Sequence, residues 1–150
     1  YHLALLVIPR HLPNMQFNLC YKSYPCKMNL SAMKKFKAAT GKDLWFTLVS
    51  FLECYVANTS KPTLTLMKAL YNCFDFETAS HVFHVLAQEE DKFIELEQIQ
   101  DAMFRVGWRP VTENDSDFIQ PYPMILTAIA TDIDKQFSEA IDVKKKEQNG

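Results

Sequence analysis

Glycine is scarce in this sequence, and the motifs that would assign a chemistry directly are absent. Only three glycines occur in 150 residues, which argues against an all-β fold built on many tight turns. There is no glycine-rich loop that could cradle a phosphate, and no glycine elbow surrounds a serine or cysteine as in many hydrolases. These absences exclude familiar nucleotide-binding and hydrolase signatures, and we expect that the protein is not an enzyme.

Cysteine motifs and long hydrophobic runs are also missing. Cys20, Cys26, Cys54 and Cys73 form no Cys-x-x-Cys pair, and the last two lie within helical apolar patterns. Because nothing in the sequence marks export, we interpret all four as buried free thiols in a reducing compartment, in preference to two disulfides. The apolar run at residues 3–8 is too short to span a bilayer, so we expect no membrane association.

Charge of neither sign dominates the chain. Lysine and arginine number 16, aspartate and glutamate 18, and the formal net charge is −2, which gives no general reason to expect nucleic-acid binding. The apolar fraction of 48% and the charged fraction of 23% are ordinary for a globular protein. We divide the chain into an extension of uncertain origin at residues 1–14, a single helical domain at 15–141, and a disordered tail at 142–150, which has no apolar stripe.

Hydrophobic periodicity predicts a mainly α fold of about six helices with a small N-terminal β-hairpin. Residues 16–21 alternate between apolar and polar, as a half-buried strand does. We expect a turn at residues 23–25 and a short partner strand at 26–28. Apolar residues that recur every three or four positions predict helices at about 30–40, 43–57, 63–74, 75–86, 95–106 and 121–141.

Capping residues mark the helix boundaries. Either Asn29 or Ser31 can start the first helix, and Asp43 and Asp75 can start two later ones, because their side chains accept hydrogen bonds from a first helical turn. Gly41 can end the first helix, since glycine tolerates positive φ. The helix that follows carries an apolar stripe wide enough to face the core: Leu44, Trp45, Leu48, Val49, Phe51, Leu52, Tyr55 and Val56.

No group of histidine, cysteine and carboxylate residues has the spacing of a metal site. His81 and His84 lie three residues apart on one predicted helix, but no third ligand stands at a matching spacing. The two N-terminal histidines and the first two cysteines match no standard zinc pattern. The acidic stretch at residues 87–98 lacks the aspartate, glycine and glutamate that a calcium loop requires. We therefore predict no metal and no cofactor.

Two clusters are candidate sites of partner binding. The first is a basic helix that could dock an acidic partner, because complementary charge sets register and association rate; a solvated helix face is the alternative. The second is a helix end rich in tryptophan and arginine, the residue types that dominate binding hot spots; a core tryptophan with surface arginines is the alternative. The residues that we assign to partner contact are Lys34, Lys35, Lys37, Arg105, Trp108 and Arg109.

The predicted elements occur in a distinctive order. An N-terminal hairpin is followed by the basic helix LSAMKKFK at residues 30–37 and a Thr-Gly step at 40–41. A later helix, which starts near residues 94–97, ends at Gly107. This combination, which covers residues 15–106, resembles the tail assembly chaperones of long-tailed bacteriophages and gene transfer agents.

The resemblance implies a small non-enzymatic protein of the bacterial host cytoplasm. Such chaperones coat the hydrophobic, helical tape measure protein before the tail tube polymerises around it, so the implied partners are the tape measure protein and, as a further candidate, the tail tube protein. Two alternatives stay open. One is a self-assembling phage structural or head–tail adaptor protein, which would be a homo-oligomer. The other is a helical DNA-binding regulator that uses the basic helix at residues 34–37.

Overall fold

The structure is a computed structural model that describes residues 15–107 and 120–149, and it confirms a mainly helical fold with an N-terminal β-hairpin. The extension predicted at residues 1–14 lies outside this range. In the described residues one antiparallel sheet contains β1 (Met15–Leu19) and β2 (Lys22–Cys26). The helices in these residues are α1 (Leu30–Thr40), α2 (Leu44–Asn58), α3 (Thr63–Cys73), α4 (Phe76–Gln88), α5 (Leu96–Val106) and α6 (Tyr122–Asn149). None of these helices has the length and hydropathy needed to cross a bilayer.

The hairpin turns at Cys20 and Tyr21, not at residues 23–25 as expected. Both turn residues have positive φ, 50° and 64°, which is the geometry of the two-residue turns that suit the right-handed twist of paired strands. The three residues predicted as a turn lie in β2 instead, where Pro25 pairs with Gln16. Proline is tolerated there because β2 is an edge strand. The prediction failed because cysteine and tyrosine are unusual residues for such a turn.

Polar caps fix where three helices start, as predicted. The capping residues are Asn29 for α1, Asp43 for α2 and Asp75 for α4, whose side-chain oxygens lie 2.9, 2.8 and 2.7 Å from the amide nitrogens three residues later. Each cap satisfies a backbone donor that the first turn of a helix cannot pair internally. At the other end of α1, Gly41 adopts a φ of 75°, which ends the helix without steric cost.

Helix α4 lies at the centre of the domain. The hairpin, α1 and α5 all pack against it, and α2 packs against α3 and α6. Its residues Val82, Phe83 and Leu86 are fully buried, and the Phe83 ring centroid lies 4.7 Å from that of Phe17 on β1. The Leu86 carbonyl oxygen also accepts a hydrogen bond from the Lys27 amide at 3.0 Å. These contacts join the hairpin to the helices, which a two-stranded sheet needs in order to be stable.

Helix α6 continues beyond its predicted end. It runs to Asn149, so the expected disordered tail is wrong for residues 142–149, which are helical. Lysine, glutamate and glutamine in that stretch are good helix formers and extend a helix that is anchored upstream by packing. The inward stripe ends earlier than expected: Ile133 is buried and Phe137 packs 4.8 Å from the ring of Trp45, but Ile141 is 65% exposed.

Two of the cysteines are bonded to each other, contrary to the expectation of four free thiols. Cys54 on α2 and Cys73 on α3 form a disulfide, and their Cα atoms are 6.7 Å apart. The packing of α2 against α3 brings these residues together although they are 19 positions apart in sequence. Cys20 and Cys26 are free. Burial, and after it two nearby carboxylates, raises the pKa of Cys26 to about 12, so that thiol stays protonated at neutral pH.

Removing the disulfide is expected to destabilise the domain. In the Cys54→Ser/Cys73→Ser variant, the free energy of unfolding should fall by about 3 kcal/mol, because the unfolded chain regains the freedom of a loop of this length. Urea unfolding followed by circular dichroism measures the change. Dithiothreitol should lower the stability of the unaltered protein by a similar amount and leave the variant unaffected. An unaltered protein that does not respond to reduction would contradict the disulfide.

Candidate functional site

Helix α2 is apolar around nearly its whole circumference. Its sequence, LWFTLVSFLECYVAN, contains a single charged residue, Glu53. A helix that is apolar all round is normally buried on every side, whereas a surface helix carries a charged outer face. On its inner side, Leu44, Leu48 and Phe51 are at most 2% exposed, but the outer side of α2 is open. The described part of the chain therefore leaves apolar surface on α2 uncovered.

The uncovered surface of α2 forms one stripe. Phe46 is 73% exposed, Val49 is 49% exposed and Val56 is 71% exposed. Successive spacings of three and seven positions place these side chains on the same side of the helix, with Glu53 between the two valines. We call these four residues the α2 face. The expectation that Val49 and Val56 face the core is wrong, because the helices that contact α2 cover other sides of it.

A groove adjoins the α2 face at Phe46. Its volume is about 350 Å³, and its walls come from the start of α2, the end of α3 and the start of α4. Phe46 and Ser50 line it from α2, and Asp75 lines it from the residue that caps α4. A second depression of about 320 Å³ shares Asp75 and Thr78 with the first and reaches His81. We call the two together the α2 groove; it places polar groups at one end of the apolar stripe.

Asp75 keeps its negative charge in the wall of the groove. The backbone amide of Thr78 donates to Asp75 Oδ1 at 2.7 Å, and the Thr78 hydroxyl donates to Oδ2 at 2.9 Å. The amide hydrogen bond first, then the hydroxyl and the nearby Lys42 ammonium, lower the pKa of Asp75 against the opposing effect of burial. Lys42 Nζ lies 3.9 Å from Asp75 Oδ2 and donates to the Thr78 hydroxyl at 2.9 Å. The α4 wall therefore presents an ionised carboxylate at neutral pH.

The predicted basic cluster on α1 makes contacts within the protein. Lys35 forms an ion pair with Glu89 at 2.8 Å, and Lys37 donates to the carbonyl oxygen of Gly41 at 3.0 Å, which satisfies the end of its own helix. Lys34 is exposed. These contacts leave fewer cations available to a phosphate backbone or an acidic partner. Partner binding by the three lysines stays a prediction.

The second predicted cluster is only partly within the described residues. Arg105 lies on α5, where it pairs with Asp101 one turn earlier at 2.9 Å; an exposed pair of this kind contributes little to stability. Trp108 and Arg109 lie outside the described range. Their assignment to partner contact stays a prediction.

The two histidines of α4 have different surroundings. His84 Nε2 lies 2.9 Å from the carbonyl oxygen of Ile94, so this ring ties the loop between α4 and α5 to α4. His81 lines the second depression of the α2 groove. Across residues 15–107 and 120–149, no three His, Cys, Asp or Glu side chains are grouped so that they could hold a metal ion.

No protein-family model, curated protein or solved structure matches this chain. An apolar stripe with charged groups at one end can bind a complementary macromolecular surface.

Phe46 is the site residue that the sequence analysis missed. A periodic stripe assigns apolar residues to the core but does not account for those outside it, and Phe46 falls outside the stripe of α2. The available signal was the lack of a charged face on a helix with only one charged residue. Such a helix is either buried on all sides or covered by a partner.

Acid is expected to weaken the contact between α1 and α4 through Glu89. Burial alone would raise the pKa of this carboxyl, but hydrogen bonds from Lys35, Asn29 and Ser31 outweigh it and lower the pKa. A carboxyl whose pKa is lowered in the folded state stabilises the fold above its unfolded-state pKa, here 4.5, and that contribution is lost as the pH falls through the folded-state value.

The Glu89→Gln variant tests this contribution. Its free energy of unfolding at pH 7 should be lower by about 1–3 kcal/mol, since a charged hydrogen-bond acceptor is removed from a largely buried position. Its stability should also fall less steeply below pH 4.5 than that of the unaltered protein. The control is Glu139→Gln, at an exposed position of α6, which should keep the original pH dependence. Equal acid slopes for Glu89→Gln and the unaltered protein would refute the role of Glu89.

Proposed function

We propose that the protein is a tail assembly chaperone of long-tailed bacteriophages or gene transfer agents. In this proposal it acts in the bacterial host cytoplasm, where it binds the tape measure protein before the tail tube polymerises around that protein. The observation that carries the proposal is the α2 face, which is apolar, exposed and continuous with a groove. The resemblance of residues 15–106 to this family supplies the identity of the partner.

The α2 face has the chemistry that a helical client requires. Phe46, Val49 and Val56 present side chains at spacings that match the turns of a helix laid alongside, which is how an amphipathic helix anchors in an apolar groove. Covering one such side chain contributes about 1.5–3 kcal/mol, before the costs of association are subtracted. A few such contacts give a binding energy that a polymerising tail tube can displace, as a reversible chaperone requires.

The proposed task does not require catalysis. The chaperone would shield apolar helical segments of its client from water and from one another, and it would then release them without making or breaking a covalent bond. Packing against α3 and α6 supports α2, and Cys73 of α3 lies in the groove wall. Burial of Leu44, Leu48 and Phe51 holds the other side of α2 in the core. The α2 face is therefore presented on a supported helix.

Co-purification tests the proposed function. We expect the gene immediately downstream to encode a long helical protein; the chain is expressed with that protein, and the complex is captured by a tag on the latter. The Phe46→Ala/Val56→Ala variant should bind at least about tenfold more weakly, because it truncates the two most exposed apolar side chains of the α2 face. Its thermal unfolding should be nearly unchanged, since both side chains are exposed.

The matched control is Phe93→Ala/Phe104→Ala. It removes two aromatic side chains that are 80% and 78% exposed but lie away from α2. This control variant should retain binding. Loss of binding in the control with retention in the α2 variant would contradict the role of the α2 face, and absence of any complex with the unaltered protein would contradict the proposed function.

A further inference from the structure

The charges around the α2 face are mostly of one sign. The two depressions of the α2 groove are lined by Asp43, Asp75 and Glu77, and Glu53 lies within the stripe itself. Lys42 is the one lysine among these lining residues. Four carboxylates therefore face one ammonium, in a chain whose net charge is only −2.

The carboxylates at the Phe46 end of the α2 face are held in place, and Lys42 is already paired. Asp43 and Asp75 are fixed as helix caps by hydrogen bonds from the amides of α2 and α4. Lys42 donates to Thr78 and lies beside Asp75, so it offsets the charge of a carboxylate that the groove already contains. The negative charge that Lys42 does not offset is available to a ligand of the α2 face.

The charge is also distributed unevenly along the stripe. Two of the carboxylates, Asp43 and Asp75, line the groove together with Phe46 at the start of α2. Lys61 follows the opposite end, beyond Val56, in the exposed loop before α3. A ligand that lies along the stripe therefore meets negative charge at one end and a positive charge at the other. Such a gradient fixes the direction of binding as well as the sign of the preferred ligand.

We propose that the α2 face takes one amphipathic helix of a protein partner, whose apolar stripe is flanked by lysine or arginine at the end that meets Phe46. This inference rests on the proposed function, which it makes specific: among the helical segments of a long client, the chaperone selects those with basic residues beside the apolar positions. The apolar stripe supplies the contact area, and the carboxylates select and orient the ligand.

Two other occupants fit the observations less well. A nucleic acid would bring phosphates to a surface rich in carboxylates, which repel them. A second copy of this chain, packed through an antiparallel pair of α2 faces about the middle of the stripe, would place each Glu53 opposite a Val49. Two carboxylates would then be buried without a cation, which opposes the formation of that interface.

Binding of designed helical peptides to the full chain tests the proposal. Three fluorescently labelled peptides are compared by anisotropy: one with a leucine stripe flanked by lysines, one with the same stripe flanked by glutamates, and one with the lysine composition but a scrambled stripe. We expect the first to bind about tenfold tighter than the second and to weaken as salt is raised from low to physiological concentration. The scrambled peptide should not bind measurably.

Isosteric variants identify the carboxylates responsible. Asp43→Asn/Glu53→Gln/Asp75→Asn removes three charges and keeps residues that can cap α2 and α4; it should abolish the preference for lysine flanks. The control Glu97→Gln/Glu139→Gln/Asp142→Asn removes three charges at exposed positions on α5 and α6 and should keep the preference. If the first variant does not fold, the salt dependence of the two peptides on the unaltered protein decides the question.

The outcomes distinguish failure of the charge preference from failure of the proposed binding function. Equal affinity for lysine and glutamate peptides, with both lost in Phe46→Ala, would overturn the charge preference and leave the apolar docking function standing. Lysine-peptide binding that survives Phe46→Ala/Val56→Ala would overturn the assignment to this face. Self-association in analytical ultracentrifugation that Phe46→Ala removes would show a second copy as the occupant and would overturn the proposal.

Discussion

Apolar helix surface is costly to leave in water, and within the part of the chain that the structure describes the outer side of α2 stays uncovered. Leu44, Leu48 and Phe51 hold its inner side in the core, while Phe46 and Val56 remain mostly exposed. Leaving that apolar surface in contact with water costs free energy, and a partner that covers it would recover that free energy. The surrounding structure supports α2 in this position: Asp43 caps its start, and the Cys54–Cys73 disulfide joins it to α3.

Other elements of the fold support the inner side of this helix. Helix α4 forms the centre of the core, and the hairpin is attached to it by ring packing at Phe17 and by the backbone hydrogen bond from Lys27. Asp75, at the start of α4, both caps that helix and supplies a fixed charge to the groove. The same residue thus links the local rule for starting a helix to the electrostatics of the site. A substitution there affects stability and recognition together unless the cap is retained.

Much of the fold could be predicted because it depends on local signals. The caps at Asn29, Asp43 and Asp75 and the glycine at Gly41 each act within a few residues. The predicted ends of α1 to α4 therefore differ from the observed ends by no more than two positions. The hairpin turn was misplaced because Cys20 and Tyr21 adopt positive φ without the usual turn residues. The packing of α2 against α3 brings two cysteines together that are distant in sequence. This is a tertiary contact, which local sequence patterns do not predict.

The candidate site was harder to predict than the fold. A stripe at helical spacing shows that a helix has an apolar side, but it does not show whether a neighbour in the same chain covers that side. Val49 and Val56 have the spacing of core residues and are exposed, because the chain supplies no helix to cover them within its described part. The basic residues of α1 are exposed, but the sequence does not indicate that Lys35 forms an ion pair with Glu89 on another segment.

The most direct measurement is site-specific photo-crosslinking in the complex with the proposed partner, a tape measure protein. A photoreactive phenylalanine analogue is placed at position 46, and separately at position 104 on α5, in otherwise unaltered protein. If the outer side of α2 is the contact surface, the probe at 46 crosslinks to the client in high yield and the probe at 104 does not. Crosslinking from position 104 with none from position 46 would contradict the assignment of the contact surface to the outer side of α2.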